Sequence, residues 1–99
     1  MDKKVPHYQL LLIQAEVRRS GANAFTRTAL DGGREMGLSV EKMVAAVCDL
    51  SSRQFFKSMT TLADHTLWQD VYHAPTSAGM AYVKFTLRQG TVVIQFKRK

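Results

Sequence analysis

Residues 80–97 read MAYVKFTLRQGTVVIQFK, and their period of two decides the fold class. Val83, Phe85 and Leu87 alternate with Tyr82, Lys84 and Thr86; beyond Gln89-Gly90, Val92, Ile94 and Phe96 alternate with Val93, Gln95 and Lys97. Such alternation marks strands buried on one face, so the stretch predicts two strands flanking a turn at Gln89-Gly90. A slip of one residue would set apolar side chains opposite polar ones along the whole hairpin. The register is therefore Leu87 with Val92, Phe85 with Ile94 and Val83 with Phe96 on the core face. Thr86 with Val93, Lys84 with Gln95 and Tyr82 with Lys97 are left on the other.

Two more extended segments lie upstream of this hairpin, and before them the period lengthens to that of helices. Leu67 to His73 is rich in aromatic and β-branched residues and is bounded by Asp64-His65-Thr66 and Ala74-Pro75, which predicts a further extended segment. Phe56 to Thr61 predicts another, entered through a short helical turn that Ser51 and Gln54 would close as a capping box. Ser39 is placed to cap a helix whose buried stripe would be Val40, Met43, Val44 and Val47, with Leu38 and Met43 at the two positions of a hydrophobic staple. Thr28 to Met36, after an extended piece near Phe25, reads as a weaker helix that stops at Gly37. Gly32-Gly33 in its interior costs about 1 kcal/mol per glycine relative to alanine. Pro6 suits a first helical position, and Leu10, Ile13 and Val17 recur at helical spacing until Ser20-Gly21, so the first helix is expected over Pro6 to Arg19. Helices first and an antiparallel sheet second make a two-layer α+β fold, expected as a single domain over residues 1–99.

The 99 residues carry a formal net charge of +6, unevenly divided. Residues 1–52 hold seven Lys/Arg against six Asp/Glu, whereas residues 53–99 hold seven against only Asp64 and Asp70. The second half thus faces anions, and charge alone admits any polyanion or phosphate. No apolar run approaches the roughly 20 residues that span a bilayer, and the charged N-terminus lacks the pattern of a secretory signal, so a cytoplasmic protein is expected. The lone Cys48 lies at helical spacing from Val44 and Val47, which reads as core rather than nucleophile.

Chemistry concentrates on the polar side of the hairpin. Cross-strand Cβ atoms lie about 5 Å apart, so the phenol of Tyr82 and the ammonium groups of Lys84 and Lys97 gather in one patch. At that separation and an effective dielectric of about 20, each ammonium is worth up to ~3 kcal/mol to an anion formed there, less when solvent screens it. Tyr82 becomes a proton-transfer candidate, and the ammoniums suit the phosphorane formed when a ribose 2′-hydroxyl attacks its neighbouring phosphate. An ordinary solvated sheet face carries the same residue types. Two carboxylates are too few for a two-metal nuclease, and His7, His65 and His73 lack zinc-ligand spacing with Cys48 or with one another, so no metal or other cofactor is expected. Acid–base catalysis by His65 or His73 stays open.

The stretch FFKSMTTLADHTLWQDVYHAP, residues 55–75, carries a KSMTT segment at Lys57–Thr61 and a DHTLWQDVY segment at Asp64–Tyr72, followed by an FK tail at Phe96-Lys97. With Pro6-His7 near the N-terminus, the chain closely resembles the MqsR family of bacterial toxins over essentially its whole length. The resemblance implies a RelE-like fold and a sequence-selective mRNA interferase that needs no metal, prefers GC-containing sites and serves stress response and biofilm regulation. It places activity on Lys57, Gln69, Tyr82 and Lys97. It further implies mRNA as substrate and a cognate MqsA-type antitoxin, with a zinc-binding domain that contacts the toxin and a helix-turn-helix domain through which alone operator DNA would be reached. Two departures stand out. Phe56 replaces a possible tyrosine before the lysine, and Gly32-Gly33 loosens the second helix.

Together these readings give a metal-independent endoribonuclease that works by 2′-hydroxyl attack. Lys57 and Lys97 would stabilise the phosphorane, Gln69 would orient phosphate or base, and Tyr82 or a lysine would move the proton. Lys84, Arg88 and Arg98 would add RNA-binding charge. Two further classes remain: a non-catalytic RNA-binding module stacking bases on Trp68, Tyr72 and Tyr82, and a regulatory protein whose basic face meets an acidic partner.

Overall fold

A computed structural model describes residues 1–99. Five strands, Asp2–Lys3 (β1), Phe55–Thr60 (β2), Trp68–Thr76 (β3), Gly79–Arg88 (β4) and Thr91–Arg98 (β5), form one antiparallel sheet in the order β1-β2-β3-β4-β5. Three helices, Leu10–Ser20 (α1), Arg27–Glu35 (α2) and Val40–Cys48 (α3), complete the α+β fold that the alternation predicted. The core between the layers is built from Ile13 and Val17 of α1, Met43 and Val47 of α3, and the inward row Val83, Phe85, Ile94 and Phe96. The β4–β5 register is the predicted one, from Leu87 opposite Val92 to Tyr82 opposite Lys97. Gln89 and Gly90 both adopt positive φ, 51° and 77°, the sign pattern of a type I′ turn that matches the right-handed twist of a hairpin.

Four local expectations change. Helix α1 begins at Leu10 rather than Pro6, because the backbone N–H groups of His7 and Tyr8 are held by the fully buried Asp70 carboxylate at 2.9–3.0 Å. That capture pins residues 6–9 across the end of the sheet and keeps them out of a helix. Strand β3 runs through Pro75 to Thr76, since the β2 ladder ends at Phe55 opposite Tyr72 and leaves the rest of β3 an edge strand, where proline is tolerated. Val40 of the expected stripe is 36% exposed, and Ala46 takes its place in the core. Strand β1, which the charged N-terminus did not announce, pairs Asp2 with Met59 and Lys3 with Ser58.

The glycines of α2 have a purpose other than loosening. A Cβ at Gly32 would stand 2.3 Å from the Phe96 carbonyl oxygen, and one at Gly33 would stand 2.2 Å from the Met43 sulfur. Their absence lets α2 lie directly against β5 on one side and α3 on the other. The approach to α2 is fastened too, with Phe25 bridged to Ile94 and Thr26 N–H donating to the Ile94 carbonyl at 3.0 Å. Helix α2 thus covers the β5 edge, which would otherwise offer unpaired backbone groups. Its end is a Schellman arrangement: Gly37 (φ 79°) donates to Arg34 and Leu38 donates to Gly33, both at 2.9 Å. Ser39 caps α3 as predicted. The last carbonyls of α3 are met by buried Gln14, whose amide donates to Val47, Cys48 and Leu50 at 3.0–3.1 Å.

Candidate active site

The helices cover one side of the sheet and leave the other open. Register places the open side's residues in cross-strand rows. One row runs His73, Tyr82, Lys97 across β3, β4 and β5, and the next runs Lys57, Val71, Lys84, Gln95 from β2 to β5. A third begins with Met59 opposite Gln69. Lys99, whose N–H donates to the Met80 carbonyl at 3.0 Å, continues the outward row of β5.

Tyr82 and Lys97 therefore meet as the hairpin pattern required. The Lys97 ammonium lies over the phenol ring, 5.4 Å from its centroid. Lys84 stands in the adjacent row, half-buried. Burial first, then the repulsion of Lys97 and Lys57, lowers its pKa below the ordinary lysine value. Lys57 is two strands away, about 10 Å at ordinary strand spacing, and its ammonium is 3.6 Å from Asp2. Strand β1 thus supplies the carboxylate that sits beside it. Gln69 belongs to the same face but lies four residues along β3 from His73, about 13 Å at the usual rise. Of the four site positions, the fold gathers Tyr82 and Lys97 closely, holds Lys57 at intermediate range and sets Gln69 toward the far end.

Arg88 is exposed at the β4 end of the open face. Arg98 points elsewhere, donating to the Ala78 carbonyl at 2.9 Å beside the β3–β4 turn, on the row of Ala81 rather than of Tyr82. Thr86 is drawn from the polar row into a buried junction with the Tyr8 hydroxyl and the Trp68 carbonyl, each at 2.8 Å.

His73, one of the two histidines left open, is directly opposite Tyr82, with ring centroids 6.2 Å apart. Its ring stacks on Phe56 at 4.5 Å, and burial together with Lys99 lowers its pKa below the ordinary histidine value, which favours the neutral imidazole. A bulge between Phe55 and Lys57 turns Phe56 to this face, where the ammoniums of Lys4 and Lys57 each lie 5.6 Å from its ring. No one-dimensional pattern marks a bulge, so Phe56 as a platform for His73 was not legible. Lys99 was, through the alternation with Lys97 and Gln95. His65 is exposed in the loop before β3, and His7 stacks on Trp68 at 5.3 Å on the opposite side of the sheet.

The aromatic platforms required by a binding module do not share a face. Tyr72 is buried against Phe85, which with Asp70 raises its pKa to about 12, and Trp68 lies with His7 and Lys3 on the other side. Cys48 is half-buried, its thiol pKa raised chiefly by burial, which fits packing rather than nucleophilic chemistry. No three His, Cys, Asp or Glu side chains cluster as metal ligands.

Residues 5–98 match the family described as "Motility quorum-sensing regulator, toxin of MqsA". The chain belongs to the MqsR toxin family. A curated relative, the mRNA interferase toxin MqsR of Escherichia coli (strain K12), is 38% identical over 99 residues, which cover all of both chains. The family match takes in every strand that builds the open face except β1. No helix is long and apolar enough to cross a membrane.

Proposed function

We propose that this member of the MqsR family is an mRNA interferase, a toxin of a toxin–antitoxin pair that cleaves RNA on its open sheet face without a metal. The observation that carries the reading is the row His73–Tyr82–Lys97 with Lys84 beside it: proton-transfer groups of two kinds next to two ammonium groups. The ribose 2′-hydroxyl attacks the adjacent phosphorus, the bond to the 5′ oxygen breaks, and the products are a 2′,3′-cyclic phosphate and a 5′-hydroxyl. One face residue, Tyr82, His73 or Lys84, takes the 2′-hydroxyl proton, and another returns a proton to the leaving oxygen. Lys97 and Lys84 stabilise the extra negative charge of the phosphorane. Lys57 and Gln69, farther along the face, hold neighbouring phosphate or base and fix the strand's direction, and Arg88 adds charge at the end of that path. The resemblance to the MqsR family is what supports a preference for GC-containing sites, which contacts to base edges rather than to phosphates must supply. Family membership also supports an antitoxin of the MqsA type, with a zinc-binding domain for the toxin.

Rates on a defined RNA in EDTA, for wild type, Lys57→Ala and Tyr82→Phe, test the proposal. Persistent wild-type cleavage that falls by about 100-fold or more in Tyr82→Phe supports it, given the usual contribution of a positioned proton-transfer group. Wild-type binding with no cleavage in any buffer would return the protein to the RNA-binding class.

A further inference from the structure

The open face carries a concavity at its β5 side. Between β5 and the first turn of α2 there is a groove of about 480 Å³, within the usual range of small-ligand sites, whose lining includes Thr26, Thr28, Tyr82, Lys84, Gln95 and Lys97. Its existence follows from the packing already described. Gly32 lets α2 press on the β5 backbone, and the Phe25–Thr26 segment crosses the β5 edge, so the start of the helix stands above the open face as a wall. Elsewhere on this face β3 is filled in, with Val71 fully buried and Phe56 stacked over His73.

We propose that this groove is a nucleobase subsite, and that Thr28 and Gln95 read the edge of the base next to the scissile phosphate. The inference rests on the function proposed above, because Tyr82, Lys84 and Lys97 form one wall of the groove and the cleavage site alike. A phosphate held by these side chains sits beside this concavity, into which its attached nucleoside can turn. Thr28 and Gln95 are both exposed, and neither side chain takes part in a hydrogen bond within the protein. Gln95 stands directly across from Lys84, one place along the outward row from Lys97. Its amide offers a donor and an acceptor together, and the Thr28 hydroxyl offers either, which is the equipment needed to pair with the Watson–Crick edge of an unstacked base. The neighbouring Thr26 hydroxyl is already engaged, accepting from Ala29 N–H at 3.0 Å, so it shapes the wall without reading.

The test is cleavage of RNA oligonucleotides that vary one nucleotide at a time around a single cleavable bond, by wild type, Thr28→Val and Gln95→Leu, with kcat/KM measured for each. The expected result is a collapse of preference by roughly tenfold, the scale of a lost bidentate base contact, at one nucleotide flanking the cleaved bond, with the preferences at other positions kept. Preferences unchanged within twofold at every position would overturn the subsite. An equal loss on all sequences would do so too, since it would mark a structural or purely electrostatic role. Cleavage by wild type with an unaltered pattern in both variants sinks only the subsite, whereas no cleavage by wild type sinks the enzymatic reading and the subsite together.

Discussion

Replacing Gly32 by alanine sets two effects of opposite sign against each other. Helix propensity alone favours alanine by about 1 kcal/mol. The added Cβ, however, would stand 2.3 Å from the Phe96 carbonyl oxygen and 3.3 Å from Lys97 Cα, both backbone atoms that cannot rotate away. Helix α2 must then retreat from β5 by about 1 Å, and overpacking of this kind costs about 1–3 kcal/mol. Because the obstacle is a strand backbone, the net expected is a loss of about 1–2 kcal/mol, and each kcal/mol lowers Tm by about 4–8 °C in a chain of this size. Thermal and urea unfolding monitored by circular dichroism measure it directly. Gly33→Ala, which meets only side-chain atoms of Met43 rather than backbone, should lose less. An unchanged or higher Tm for Gly32→Ala would refute the close seating of α2 on β5, and with it the wall of the groove.

Three other outcomes are expected. Asp70→Ala leaves the His7 and Tyr8 N–H groups without their acceptor and should cost about 2–4 kcal/mol in urea unfolding, at the usual penalty for buried unsatisfied donors. Lys84→Met removes an ammonium repelled by Lys97 and Lys57; it should raise stability by up to about 0.5 kcal/mol and make the slope of log affinity for single-stranded RNA against log salt shallower by about 0.7. His73 has a folded-state pKa below its unfolded value, so its neutral form contributes stability present above about pH 6.5 that is lost as pH falls through the lowered value. Stability–pH curves of wild type and His73→Gln should therefore run parallel above about pH 6.5, diverge between there and the lowered value, and run parallel again below it.

The hairpin was legible because its two faces differ in polarity at every position, so one register alone kept the faces separate. Ser39 and the Ser51–Gln54 box were legible because caps act over three residues. What escaped depends on distance along the chain. The start of α1 is set by Asp70, and the meaning of Gly32 is set by Phe96, neither visible from local propensity. Strand β1 is two residues long and gains its order from pairing with Met59 and Ser58. At the site, alternation brought Tyr82, Lys84 and Lys97 together, whereas Lys57 and Gln69 came from family resemblance and sit farther out. The bulge at Phe56 and the groove under α2 arise from backbone geometry and packing that no periodicity encodes.

The chemistry of the cut ends tests the central claim most directly. A 5′-labelled RNA incubated with the wild-type protein in EDTA should yield fragments that end in a 2′,3′-cyclic phosphate, paired with fragments that begin in a 5′-hydroxyl. Cleavage that appears only when Mg²⁺ is added and leaves 5′-phosphate ends would contradict the account.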